Sequence, residues 1–265
     1  MKARQTEGYR LFTRDDFCVI SAVDNLEVLD GCLKRSPDIA DGSLPLVVVT
    51  GARSMPCAYN SGLAQTQAKI CLLAHQDVYF PKGWLDRAVD VLNALTQSHP
   101  DWMVAGPYGV SPAGLHVGRV WDVTMKCELG GPGFAPTQVG SFDELLMILR
   151  RPDGFRFDEE LPHFHLYGTD LVQTAISMGR TAWAVELPVV HNNRPIVSLG
   201  GGYLLAYRFA RRKWRARLPI YTSVCALTYN PFPLWRARWR RRHVSARPAT
   251  LGADSVEIAR LAGYE

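Results

Sequence analysis

The sequence predicts an α/β protein built on a doubly wound, mostly parallel sheet flanked by helices. Three observations carry that expectation. Short, continuous apolar runs rich in Val and Ile recur along the first 110 residues, as in strands covered on both faces. Amphipathic stretches alternate with those runs, which is the order of β-α-β units. Polar residues close the runs at their carboxyl ends, where open sheets of this kind bind ligands.

The elements follow in order. "FCVISAV" (17–23) is the first strand, and "NLEVLDGCLKRS" (25–36) a helix with Leu26, Leu29 and Leu33 at helical spacing and Asn25 as its cap. "LPLVVVTG" (44–51) is the second strand, "CAYNSGLAQTQ" (57–67) a helix and "KICLLAH" (69–75) the third strand. "GWLDRAVDVLNALTQ" (83–97) is a strongly amphipathic helix, and "WMVAGPYG" (102–109) a fourth strand. The segment 114–136 is glycine-rich and weakly periodic, which predicts short antiparallel strands and a mobile loop over 130–136. A strand over 141–151, a helix over 167–179 ending at Gly179, and a last strand over 181–192 complete the body. There is no internal repeat.

At 265 residues, with 47% hydrophobic and 21% charged residues, the chain is long enough to bury a sizeable core and has the make-up of a folded soluble protein. The charged start of the sequence does not read as an export signal, and no apolar run approaches the ~20 residues that span a bilayer. The six cysteines show no C-x-x-C spacing, and Cys18 and Cys71 lie inside apolar runs. Free thiols in a reducing cytoplasm are the expectation.

Charge divides the chain. Residues 187–253 hold 13 of its 30 Lys and Arg and none of its 25 Asp and Glu. This suggests an acidic catalytic domain over 1–200 and a basic, aromatic extension over 201–265. In the extension, Tyr203, Tyr207, Ala210 and Trp214 share one helical face while Arg208, Arg211, Arg212 and Arg215 cluster on another. Trp235 and Trp239 repeat the theme among arginines. Such helices suit the interface of an anionic membrane, peripherally on its cytoplasmic face. The competing reading packs the aromatics on the catalytic domain. No nucleic-acid-binding motif accompanies the arginines, so nucleic acid is not expected as a partner.

The stretch "LLAHQDVYFPKGW" sets His75, Gln76 and Asp77 at the carboxyl end of the third strand. Here a resemblance becomes specific. Asn60, Gly62, Asp77, Pro81, Gly83 and Trp84 fall on the central pattern of family 2 glycosyltransferases with the GT-A, Rossmann-like fold. Asp170, Gly179 and His191 fall on a second signature of that family, in which an acidic residue opens a helix and a strand then leads to a His. The chain most resembles the streptomycin-biosynthesis-type branch, in which a His-rich stretch precedes the acidic helix. The resemblance spans roughly residues 15–195.

It implies transfer of a sugar from a nucleotide-sugar donor, with UDP or GDP as the nucleotide, to a glycan or lipid-linked acceptor in cell-surface polysaccharide or glycolipid synthesis. A departing diphosphate needs a divalent cation or fixed positive groups. Asp77 is the candidate to hold Mn²⁺ or Mg²⁺, with His191 as the second ligand that the resemblance implies. Asp170 is the candidate base of an inverting displacement. Ala22, Val23 and Asp24 form the expected wall beside the nucleotide base, with Asn60, His75 and Gln76 also on the donor side. His163 and His165 are candidates for the acceptor side, one of them turned outward by alternation.

Simpler readings stand beside these. Asp77 can merely end a strand, Asp170 can merely cap a helix together with Thr169, and His191 can make only a local hydrogen bond. Two departures favour a noncatalytic sugar-nucleotide- or polyanion-binding protein on a transferase scaffold. His75 stands where the family's first acidic motif residue is expected, and "VVVTGARS" lacks an Asp at the end of the second strand.

Overall fold

The computed structural model describes residues 11–192, 199–241 and 254–265. The expected apolar runs form strands: β1 (Phe17–Val23), β2 (Leu46–Thr50) and β3 (Ile70–Ala74). Between them lie helices α1 (Leu26–Gly31), α2 (Pro37–Ala40) and α3 (Met55–Leu63). Strand β4 (Val78–Tyr79), helix α4 (Trp84–Ser98) and strands β5 (Trp102–Gly106), β6 (Tyr108–Val110), β7 (His116–Asp122) and β8 (Cys127–Gly130) follow. Next come β9 (Thr137–Gln138), β10 (Ser141–Phe142), β11 (Leu146–Arg150), α5 (Tyr167–Ser177), β12 (Thr181–Ala184) and β13 (Val190–His191). Helices α6 (Gly201–Lys213), α7 (Phe232–Arg241) and α8 (Ser255–Leu261) complete the described chain.

The main sheet has seven strands in the order β2-β1-β3-β11-β5-β12-β9. β1 pairs in parallel with β2 and β3, and β12 pairs in parallel with β5. β11 runs antiparallel to both β3 and β5, in the middle of the sheet. A second sheet, β10-β6-β7-β13-β4 with β8 on β7, stands beside it. The expected antiparallel strands over 114–136 are therefore present as β7 and β8.

Local chemistry explains the element ends. Asn25 caps α1 as expected, its side chain accepting from the backbone of Glu27 and Val28. The expected helix over 25–36 stops at Gly31 and resumes as a 3₁₀ turn (Leu33–Arg35). Leu29 and Leu33 are buried, whereas Leu26 is exposed. Helix α3 starts two residues early because Ser54 caps it at Cys57 N, and it approaches β1 so closely that a Cβ at Gly62 would lie 2.2 Å from Ile20 Cγ2. Gly83 opens α4 at φ 71°, a left-handed conformation that glycine adopts without strain. Trp84 then stacks on Phe80 with centroids 4.6 Å apart, both buried.

The extension corrects one expectation. Tyr203, Tyr207 and Ala210 of α6 are buried in the same core as Tyr167 and Leu171 of α5. This aromatic face belongs to the core of the body, where its burial removes apolar area from water. No disulfide joins the six cysteines, of which Cys18, Cys32, Cys71 and Cys225 are buried. Among the described residues, no helix is long and apolar enough to cross a membrane.

Candidate active site

The carboxyl ends of β1, β2 and β3 open into two adjoining clefts. The larger, about 740 Å³, is lined by Ala22, Val23, Asp24, Thr50, Gly51 and Met55. The smaller, about 310 Å³, is lined by Asp122, Asp143, Glu144, His165, His191 and Tyr203. His75, Gln76, Asp77, Asp24 and Phe164 border both, so the stretch after β3 forms the wall between them.

Two backbone pairings and one side-chain bridge assemble this wall. β3 hands its last register to β11, and His75 N donates to Leu145 O at 2.9 Å, which sets Asp143 and Glu144 beside the imidazole. β4 pairs with β13 so that Val78 faces His191, and Asn192 N donates to Asp77 O at 2.8 Å. Gln76 ties the third strand to the first. Its Oε1 accepts from Asp24 N and Asn25 N at 3.2 and 3.1 Å, and its Nε2 donates to Asp24 Oδ1.

His75, Asp77 and His191 converge, their nearest ligand atoms all within 4.8 Å of one another. Asp77 Oδ1 lies 3.6 Å from His191 Nε2 and 3.9 Å from His75 Nδ1, and is buried with no hydrogen bond. The orientation of His75 is fixed from behind. Tyr167 Oη donates to Glu144 O at 2.9 Å and lies 2.5 Å from His75 Nε2. With its one proton committed to that carbonyl, the phenol accepts from Nε2–H and leaves the Nδ1 lone pair facing Asp77.

Electrostatics distinguish the three groups. Burial disfavours charge on Asp77, yet His191 and His75 outweigh it and hold the carboxyl down at about 2. Burial likewise opposes charge on His191, but Asp77 prevails and raises its pKa. For His75 burial wins over Asp77, and its pKa is lowered, favouring the neutral imidazole that ligates a cation. Glu144 is pushed up to about 8, chiefly by burial, although Gly168 N donates to its Oε1 at 2.8 Å.

Other expected site residues separate from this cluster. Asp170 lies in the first turn of α5, 3% exposed, and lines neither cleft. Trp214 Nε1 donates to its Oδ1 at 2.7 Å, and Lys213 Nζ stands 2.9 Å from Oδ1 and 3.0 Å from Oδ2. Both oxygens are engaged by these donors, and the carboxylate expected to act as the general base borders neither cleft. Lys213 also bonds Asp158 Oδ2 at 2.7 Å, so the ammonium joins α6, α5 and the loop before α5. Asn60, expected on the donor side, also borders neither cleft. It is 5% exposed, donates to Phe157 O and Glu159 Oε1 and accepts from Phe157 N.

Of the two loop histidines, His165 lines the smaller cleft and His163 does not. His163 adopts φ 63° and is exposed, its carbonyl accepting from Met55 N. Sequence reasoning missed Asp143, Glu144, Tyr167 and Lys213. The acidic pair preceding "LLMILRR" was the only available signal, and it has meaning only once β11 is known to lie beside β3.

No protein-family model matches the chain. A curated protein of Fuscovulum blasticum, "ATP synthase subunits region ORF 6", is 27% identical over 143 residues, which covers 51% of this chain and 55% of that protein. The chain thus spans about half the length of the curated relative it matches. Among solved structures, GalNAc-T7 with UDP, GalNAc and Mn²⁺ superposes with a TM-score of 0.50 at 12% identity, covering 88% of this chain and 55% of that one. The mannosyltransferase PcManGT of Pyrobaculum calidifontis, in complex with GDP-Man and Mn²⁺, gives a TM-score of 0.45 at 13% identity, covering 74% and 61%. The likeness to GalNAc-T7 shows a GT-A-like fold, in keeping with the mixed sheet flanked by helices.

Proposed function

We propose that the chain is a nucleotide-sugar-dependent glycosyltransferase whose centre is the His75–Asp77–His191 cluster. The observation that carries this reading is the buried, unbonded Oδ1 of Asp77 between two imidazoles, at the carboxyl end of β3 and on the wall shared by two clefts. Burying a carboxylate oxygen with no hydrogen bond costs on the order of 1–3 kcal/mol or more, part of which the two imidazoles offset and the rest of which a bound cation would repay. One carboxylate and two nitrogens fit a divalent ion, with Mn²⁺ preferred over Mg²⁺ because imidazole suits the softer metal. Such an ion, when bound, neutralises the diphosphate of the donor.

The chain's own residues supply the rest. Ala22, Val23, Asp24 and Thr50 offer the larger cleft to the nucleotide, with Gln76 holding the Asp24 backbone in place. The acceptor hydroxyl enters the smaller cleft near His165 and Tyr203. Asp143 borders that cleft half-exposed and takes over the base role from Asp170. The acceptor oxygen bonds to the anomeric carbon, its proton passes to Asp143, and the bond to the nucleoside diphosphate breaks, inverting the centre. Membership of the family 2 transferases, and the streptomycin-biosynthesis-type branch within it, rests on the two motifs around Asp77 and His191. A glycan or lipid-linked acceptor and a reducing, cytoplasmic setting belong to the same reading, the latter in keeping with cysteines that form no disulfide.

Sequestration of Asp170 favours a second reading, a sugar-nucleotide-binding protein without turnover. One experiment separates them. Thermal stabilisation by a panel of UDP- and GDP-sugars, with Mn²⁺ and with EDTA, is followed by product analysis on the sugar that binds. Metal-dependent stabilisation with release of the nucleoside diphosphate supports the transferase. Binding without release supports the second reading, and no stabilisation by any donor rules out both.

A further inference from the structure

We propose that α7, together with the groove between α6 and α7, is a docking surface for an anionic phospholipid bilayer. Helix α7 is pinned to the body by Leu234, which is buried, and by the half-buried Ala237. The rest of its surface is open. Phe232, Trp235 and Trp239 are 53%, 63% and 52% exposed, and Arg236, Arg238 and Arg240 are exposed among them. Phe232 and Trp235 stack with centroids 5.7 Å apart, forming a continuous apolar step. Large exposed rings flanked by arginines on one short helix are what an interfacial helix presents to acyl chains and headgroup phosphates.

The groove adds a place for a headgroup. It measures about 530 Å³, with Leu204 and Tyr207 as an apolar floor and Arg208, Arg211 and Arg238 around it beside Trp235. Among the described residues of this basic third, Lys213 is the one cation paired with a carboxylate. The arginines keep their charge for an external anion, and the stretch from 187 to 253 contains no acidic residue to compete for them. The same surface reaches the smaller cleft, since Val224 lines that cleft and also a groove with Arg236 and Arg240. A bilayer held on α7 is thereby brought toward the mouth where the proposed function places the acceptor. Docking itself does not depend on that function.

Flotation of the full chain with vesicles of phosphatidylcholine, with and without about a third phosphatidylserine, tests the proposal. Binding is expected only with phosphatidylserine and should weaken as salt rises, because exposed charges are screened over about 8 Å at physiological ionic strength. Each arginine near an anionic surface is worth about fivefold in partitioning, so R236Q/R238Q/R240Q should lose about a hundredfold. W235A/W239A should also lose binding, and that loss should persist at high salt because ring burial is not electrostatic. Both variants should keep the parent's melting temperature and its Mn²⁺ binding, which keeps this test separate from that of the active centre. Equal binding to neutral vesicles, failure of the folded parent to bind charged ones, or an RNA oligonucleotide displacing the vesicles would overturn the proposal.

Discussion

Two aspartates at expected functional positions meet opposite fates. Asp77, past the end of β3, keeps a buried oxygen with no hydrogen bond, facing two imidazoles on the wall of two clefts. Asp170, in the first turn of α5, has its carboxylate bonded by Lys213 and Trp214 and is closed off from both clefts. A carboxylate becomes available to chemistry through what its neighbours leave unsatisfied. Position after a strand or at a helix start is not enough.

The largest effect expected from this contrast is on turnover. Asp77→Asn should abolish metal-dependent transfer, and Asp143→Asn should lower kcat by the ~10²–10⁴-fold typical of a lost general base while leaving donor binding in place. Asp170→Asn should leave kcat within a few-fold once corrected for the folded fraction. A loss in Asp170→Asn matching that of Asp143→Asn, in a folded protein, would reverse the assignment.

Stability should show the reverse ranking. Lys213→Met strips a buried carboxylate of its cation, and breaking such a pair costs about 3–5 kcal/mol. Denaturant unfolding should register most of that loss, whereas Asp77→Asn should cost less, losing only the attraction to His191 and His75 that holds the Asp77 carboxyl down at about 2. Equal destabilisation by the two substitutions would mean that Asp77 is as much a structural residue as Asp170.

The strands that carry Asp77 and its neighbours were legible in the sequence because they are covered on both faces. "FCVISAV" and "KICLLAH" need no polar alternation, and they form β1 and β3 within a residue or two of the expected bounds. The direction of β11 was not legible, because an apolar run reads the same for a parallel and an antiparallel strand. Asp143 and Glu144 therefore came as findings. The partners of Asp170 lie more than 40 residues downstream on and just after α6, where no local pattern could reveal them. The aromatic face of α6 has the same spacing whether it meets lipid or core, and the fold buries Tyr203, Tyr207 and Ala210 in the core.

A further effect concerns pH. Glu144, lifted to about 8 mainly by burial, is protonated in the folded protein at pH values where the unfolded chain, with an ordinary glutamate at 4.5, is ionised. The stability this group contributes is fully present below about 4.5 and declines as pH rises toward about 8, because the folded state binds the extra proton in that window. Melting temperatures of the parent should therefore fall between pH 5 and 8 relative to Glu144→Gln. Parallel curves for the two proteins would place the Glu144 carboxyl in a wetter environment than its contacts indicate.

The most direct measurement is Mn²⁺ binding, followed by the loss of the free-ion electron paramagnetic resonance signal, for the parent, Asp77→Asn and Asp170→Asn at equal folded concentration. The account predicts one site in the parent, none in Asp77→Asn, and an unchanged site in Asp170→Asn. A parent that binds no Mn²⁺, or an Asp77→Asn variant that binds it as tightly as the parent, would contradict the assignment of His75, Asp77 and His191 as the metal centre.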